Sequence, residues 1–148
     1  EVGKEFGKTF GREYGLVDAY KCDDADYILI NYSTIAGTAK DAVDRMRDKG
    51  IKVGTLKVRY FRPFPYEEIK STVSNAKKIG VIDRAVSYGQ EGPFFNETKA
   101  SLYGKTTPMY GFLAGLGGRD VSIKDIESMV DYMKTNDPEN KIWIGVKE

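Results

Sequence analysis

The stretch Asp26-Tyr-Ile-Leu-Ile-Asn-Tyr32, Ser33-Thr-Ile-Ala-Gly-Thr38, Ala39-Lys-Asp-Ala-Val-Asp-Arg-Met-Arg-Asp-Lys-Gly50 reads as one unit in three parts. A short apolar run ends at Tyr32, and a small polar loop containing Gly37 follows. The loop opens into a segment that carries Ala39, Ala42, Val43 and Met46 on one helical face. Thr38 and Asp41 fit the capping pattern that starts a helix, and Gly50 supplies its stop. This is the strand–loop–helix step of an open α/β sheet, whose ligands and partners meet the carboxyl ends of the strands.

Working outward, the same step recurs. Ile51–Tyr60 alternates like a strand, and Pro65 pre-sets the first turn of a helix carrying Ile69 and Val73. Lys78–Asp83 is a second short buried strand, followed by a loop from Arg84 to Pro93 and a helix from about Phe94 to Tyr103. Pro108–Ala114 is a further strand and Gly115–Asp120 its exit loop. Ser122 and Asp125 form a capping box for a helix with Ile123, Ile126, Val130 and Met133 on one face. The tail Lys141–Val146 adds a strand or a clasp. Toward the start, Gly3, Gly7, Gly11 and Gly15 recur every fourth residue, with Phe6, Phe10 and Tyr14 each one residue before a glycine. Glycine at that density opposes a helix, so this segment reads as an extended or irregular arm, and Gly15–Tyr20 as a leading edge strand. The chain begins at Glu1 rather than Met, so residues 1–20 read as an arm or linker from an upstream domain and 21–148 as the α/β domain. The expected fold is a three-layer α/β/α sandwich with a mostly parallel sheet. Right-handed crossovers favour the strand order Ile51–Tyr27–Ile79–Met109, which places the topological switch point between the Tyr27 and Ile79 strands.

With 148 residues the chain has room for one domain with a real core. Lys plus Arg number 23 and Asp plus Glu 22, a balance that argues against a nucleic-acid partner, which needs a concentrated basic surface. No apolar run approaches the roughly 18 residues of a membrane span. Histidine is absent, which removes the commonest general base and metal ligand. One cysteine, Cys22, cannot form an internal disulfide or hold an iron–sulfur cluster alone. Asp23 and Asp24 beside it should raise its pKa, and it reads as a reduced cytoplasmic thiol. These absences argue against a self-sufficient active site.

Candidate chemistry gathers at the expected crevice. Thr34, Gly37 and Thr38 lead a helix N-terminus that favours anions, though the loop lacks both the dinucleotide Gly-x-Gly-x-x-Gly spacing and a P-loop lysine. A tight turn with a capping threonine is the favoured reading of this weak motif. Arg84 at a strand end could hold a guanidinium over the crevice to grip a phosphate or carboxylate, or could pair with Asp83 to stabilise the loop. Gly89–Pro93 is a lid or an ordinary turn. Gly115–Asp120 departs from nucleotide-loop spacing and reads as a structural turn. Arg59, Phe61, Arg62 and Phe64 are partner anchors or core packing around two prolines. No catalytic residue and no metal site is assigned.

Gly11-Arg-Glu-Tyr-Gly-Leu-Val17, Ala36-Gly-Thr-Ala-Lys40 with Asp44, Lys57-Val-Arg59, Phe61-Arg-Pro-Phe-Pro65, Asp83-Arg84, Gly92-Pro-Phe94 and Gly115-Leu-Gly-Gly-Arg-Asp120 stand in an order that resembles one family. It is the 2-oxoacid:ferredoxin oxidoreductase family, and within it the second domain of the pyruvate:ferredoxin oxidoreductase alpha subunit. Trp143-Ile-Gly-Val146 is similar to that subunit's C-terminus. The resemblance covers almost the whole chain. It implies a transketolase C-terminal-domain-like fold whose first strand runs antiparallel. It implies an enzyme that decarboxylates a 2-oxoacid on thiamine diphosphate with Mg, passes the acyl group to coenzyme A and reduces ferredoxin through iron–sulfur clusters. The family holds thiamine and clusters mainly in other domains and subunits, so the implied partners are those subunits, the chain's own upstream domain and, through the complex, ferredoxin. Single-chain relatives often follow Asp-Arg with a Lys-Glu-Pro-Gly-type loop, where this chain has Ala85-Val-Ser-Tyr-Gly-Gln-Glu-Gly92, so no coenzyme A role is carried onto that loop. Two other readings remain: the C-terminal domain of another thiamine enzyme, and a stand-alone nucleotide- or anion-binding module.

Overall fold

Strand β2 (Tyr27–Tyr32) lies in the middle of a six-stranded sheet because Ile28, Leu29 and Ile30 are apolar in succession and need cover on both faces. The structure, a computed structural model, describes residues 1–146, so the last two residues of the expected 21–148 unit lie outside the described residues. The remaining strands are β1 (Val17–Tyr20), β3 (Val53–Val58), β4 (Lys78–Asp83), β5 (Met109–Leu113) and β6 (Ile142–Trp143). Their order is β1-β3-β2-β4-β5-β6, with β1 antiparallel to β3 and every other pair parallel. The expected order of the four central strands and the antiparallel first strand are both observed.

The helices are α1 (Val2–Phe10), α2 (Ile35–Asp48), α3 (Tyr66–Thr72), α4 (Pro93–Ser101) and α5 (Ile123–Thr135). Helices α2 and α5 cover one face, where Leu29, Val43, Met46, Ile82, Phe112, Met129 and Met133 close one core. Helices α3 and α4 cover the other, around Ile28, Ile30, Leu56, Ile69, Val81 and Phe95. Each sheet face is thus closed by this chain's own helices, the three-layer arrangement the alternation of elements implies. Ser122 and Asp125 form the expected reciprocal capping box at the start of α5.

The N-terminal segment departs from expectation. Residues 2–10 form a helix rather than an extended arm. Gly11 ends it in the left-handed conformation, and the chain then folds back along the helix. Gly3 and Gly7, one helical turn apart, sit against the returning backbone: a methyl group on Gly3 would collide with the Tyr14 carbonyl, and one on Gly7 would lie 3.2 Å from Glu13 Cα. Phe6 meets Phe10 at 4.5 Å and Tyr14 at 5.6 Å between ring centroids. The glycine spacing is therefore a contact face, and the aromatic cluster offsets its low helix propensity.

Several motif residues turn out to join β1 to α2. Lys40 and Arg59 reach Asp18 at 3.0 and 3.3 Å. Burial alone would raise the Asp18 carboxyl, but these two cations outweigh it and hold the group below its usual range. Asp44 accepts from the Tyr20 hydroxyl at 2.9 Å and pairs with Lys21. Arg47 forks onto Asp24 at 2.8 and 2.9 Å. Cys22 packs in the core beside them, and burial, more than the neighbouring Asp23, pushes its thiol up to about 11. The cause differs from the acidic-neighbour expectation, although the direction agrees. Because the folded-state pKa lies above the ordinary thiol value of 9.0, the stability this group contributes is present below pH 9 and lost as pH rises toward about 11. A pH series of urea midpoints should fall across that window, and Cys22→Ala should flatten that fall. The wild-type thiol should react with a disulfide reagent only when urea opens the core.

Candidate functional site

The carboxyl edge of the sheet is shaped by how β2 and β4 end. After Tyr32 the chain turns into α2 through only Ser33 and Thr34, and Ser33 takes a left-handed backbone with φ 60°. Helix α2 therefore begins at Ile35, not after Thr38. Thr34 occupies the N-cap without a side-chain cap bond, so the expected Thr38–Asp41 capping pair does not form. Gly37 lies inside the first turn with no atom within 4 Å of where a side chain would begin. Its open space faces outward rather than toward a neighbouring segment.

At the end of β4, Asp83 and Arg84 separate instead of pairing. Asp83 is 1% exposed and gathers four donors: the Tyr32 hydroxyl at 3.0 Å, and the backbone N–H groups of Ala85 at 3.1 Å, Phe94 at 2.7 Å and Phe95 at 3.2 Å. It is the acceptor that caps α4 from a distance in sequence. The Tyr32 hydroxyl in turn accepts from the Arg84 N–H at 3.0 Å. Burial first, with the Asp83 charge added, pushes the Tyr32 phenol up to about 12. The side chain of Arg84 turns away and donates to Thr34 Oγ1 at 3.2 Å. Among the described residues it has no carboxylate within salt-bridge distance. The loop from Arg84 to Gly92 closes on itself through Ser87 N–H to the Glu91 carbonyl at 3.2 Å, the ordinary-turn alternative.

These exits divide the edge into clefts of different character. A polar cleft of about 210 Å³ brings together Thr34, Thr38 and Arg84 with Gly118, Arg119 and Asp120 from the β5 exit. Three of the four crevice candidates thus share one cleft, and Gly37 does not line it. An apolar groove of about 400 Å³ lies beyond Ser33, between Tyr32, Val58, Phe61 and Phe94. Of the proposed anchors, Phe64 is buried in the core, Phe61 is exposed at the groove, and Arg59 and Arg62 pair with Asp18 and Glu97. A third cleft of about 550 Å³ runs from Gly115 to Trp143 and shares Arg119, Asp120 and Val121 with the polar one. Sequence reasoning did not single out Arg119 or Trp143 as site residues. The turn Gly115–Asp120 carries no nucleotide-loop spacing, and only the pairing of β6 with β5 brings Trp143 beside it.

The iron–sulfur chemistry that the resemblance implies does not fit these residues. The one thiol is buried in the core and held protonated, and histidine is absent from the sequence.

Comparison with known proteins places this edge in context. The model of the family described as pyruvate:ferredoxin oxidoreductase core domain II matches residues 25–126. Pyruvate synthase subunit PorA of Methanothermobacter thermautotrophicus is 46% identical over 146 residues, covering 98% of this chain and 37% of that protein. Ketoisovalerate oxidoreductase subunit VorA of Pyrococcus horikoshii is 44% identical over 136 residues, covering 90% of this chain and 34% of that protein. The chain therefore spans about a third of the length of these relatives. In fold it is similar to a solved split-gene transketolase, with a TM-score of 0.62 at 11% identity over 80% of this chain and 42% of that one. The family match spans the sheet from its central strand to the start of α5, and on that ground the chain belongs to the pyruvate:ferredoxin oxidoreductase core domain II family.

Proposed function

We propose that this chain is a non-catalytic assembly and active-site-walling domain in the alpha subunit of a thiamine-dependent 2-oxoacid:ferredoxin oxidoreductase. The whole enzyme converts a 2-oxoacid and coenzyme A to acyl-CoA and CO2 and passes two electrons to ferredoxin. The observation that carries this reading is the 46% identity to a pyruvate synthase subunit through 98% of the chain. Relatives named for pyruvate and for ketoisovalerate are similar to it at 46% and 44%, so the choice of 2-oxoacid belongs to residues elsewhere in the subunit. The iron–sulfur clusters are assigned to other subunits, since this chain offers a buried thiol and no imidazole, and thiamine diphosphate with its Mg is assigned to other domains and subunits on the resemblance. The setting is cytoplasmic, residues 21–148 together with the sheet strand β1 act as the domain, and the residues before β1 link it to the rest of the subunit.

In this reading Thr34, Thr38 and Arg84 face coenzyme A or a partner subunit across the carboxyl edge, while Gly37 lies outside the cleft they line. The chain alone should show no pyruvate-dependent ferredoxin reduction when supplied with thiamine diphosphate and coenzyme A, and turnover by it would overturn the division of labour. In the assembled enzyme, Arg84→Ala should raise the coenzyme A KM or weaken subunit association. A lost charged contact costs about 2 kcal/mol, a change of roughly thirty-fold. Folding should change less, because Arg84 touches only Thr34 through its side-chain hydrogen bond. Unfolding of Arg84→Ala with normal kinetics of the surviving complex would make Arg84 a structural residue instead.

A further inference from the structure

We propose that the polar cleft around Arg84 and the larger cleft beside Trp143 form one site for a phosphorylated nucleoside. The inference extends the crevice reading to residues on the other side of the β5 exit. The two clefts are joined through Arg119, Asp120 and Val121, which line both. Their volumes, about 210 and 550 Å³, together suit a ligand the size of a nucleotide.

The chemistry changes along this path in the order that a nucleotide changes. At one end, Arg84 presents a guanidinium group and Thr34 and Thr38 present hydroxyls, and Arg119 adds a second guanidinium from the seam, a donor set for phosphate oxygens. Arg84 spends one N–H on Thr34, and Arg119 spends one on the Gly145 carbonyl at 3.0 Å, which fixes both side chains while leaving further donors. At the seam stands Asp120, a carboxylate that would repel a phosphate placed on it but accepts hydrogen bonds from ribose hydroxyls. At the other end Trp143, 48% exposed, offers an indole to a planar base. Between them Gly117 and Gly118 have left-handed backbones with no atom within 4 Å of a would-be side chain, so their backbone lies open to a ligand.

Trp143 is the single tryptophan of the chain, so its fluorescence reports this site alone. Adenosine 5′-diphosphate should quench it saturably, with adenosine and inorganic phosphate each binding about ten-fold more weakly or worse. Arg84→Ala and Arg119→Ala should each weaken the diphosphate by about ten-fold and leave the adenosine response unchanged. Circular dichroism identifies a variant that has lost its fold, in which case the other variant decides. Absence of saturable quenching in the wild-type chain, equal affinity in the folded variant, or quenching by phosphate alone as strong as by the diphosphate would overturn the proposal. A chain that binds no diphosphate, yet in which Arg84→Ala still weakens subunit assembly, has its crevice against protein. That outcome removes this site and keeps the assembly function.

Discussion

Asp83→Ala should destabilise the chain by about 4 kcal/mol, the largest effect of any single polar substitution at the sheet edge. The carboxylate is buried and is the common acceptor for the Tyr32 hydroxyl and the N–H groups of Ala85, Phe94 and Phe95. Alanine leaves the Phe94 and Phe95 N–H groups, both on buried residues, without their acceptor beside the Phe94 ring, which sits 4.8 Å from Tyr32. Each orphaned donor costs on the order of 1 kcal/mol or more, and the two at the start of α4 also lose a charge favourable to the helix dipole. Asp83→Asn keeps one acceptor oxygen and should cost about half as much. The packing leaves no room for compensation, since a methyl group on Gly92 would already stand 2.6 Å from the Asp83 carboxyl carbon. Urea unfolding followed by circular dichroism measures both variants. An Asp83→Ala loss below about 1 kcal/mol would mean that water reaches these donors and that the carboxylate does not organise the edge.

This residue also shows what the sequence made legible. Apolar runs ending in short polar loops located β2 and β4, and a capping box with an apolar face located α5, because such signals follow from local periodicity and capping. Strand order followed from handedness, a property of any βαβ unit. Asp83 looked like half of an Asp–Arg pair because adjacency in sequence suggests adjacency of charges. In a strand, successive side chains point to opposite faces, and one carboxylate went inward to α4 while Arg84 crossed to Thr34. The N-terminal helix was illegible for a related reason. Its glycines look destabilising until the returning segment at Glu13 and Tyr14 is placed against them. The polar cleft was half legible: Thr34, Thr38 and Arg84 come from loops that the switch point predicts, whereas Arg119 enters from the β5 exit loop, which reads as a structural turn, and Trp143 reaches only the adjoining larger cleft, through the β5–β6 pairing. The motif residues Lys40 and Asp44, which helped carry the resemblance, bind β1 to α2 rather than line a cleft.

That far edge can be tested through one glycine. Gly111→Ala should destabilise the chain by about 3 kcal/mol and shift the Trp143 emission to the red. In β5 the Gly111 N–H donates to the Glu139 carbonyl at 2.8 Å, which brings the following segment so close that a methyl group would overlap the Asn140 carbonyl oxygen. The carbonyl carbon would lie at 2.8 Å and a Phe95 ring carbon at 3.1 Å. The obstacle on the first side is backbone, which cannot rotate aside as a flexible side chain would. On the second it is a ring already packed in the core. Relief therefore requires the 139–140 segment to move, and β6 follows it directly, with Phe112 opposite Ile142 and Leu113 opposite Trp143. Moving β6 exposes the indole further and opens the cleft that runs from Gly115 to Trp143. Gly37→Ala is the control: it lies in the first turn of α2 with empty space around it, and alanine there should stabilise by about 0.5–1 kcal/mol without touching the emission. Equal stability of Gly111→Ala and wild type, with an unshifted emission maximum, would show that β6 floats free of β5. The wall of the larger cleft would then be set by the Arg119 bond to Gly145 rather than by the sheet.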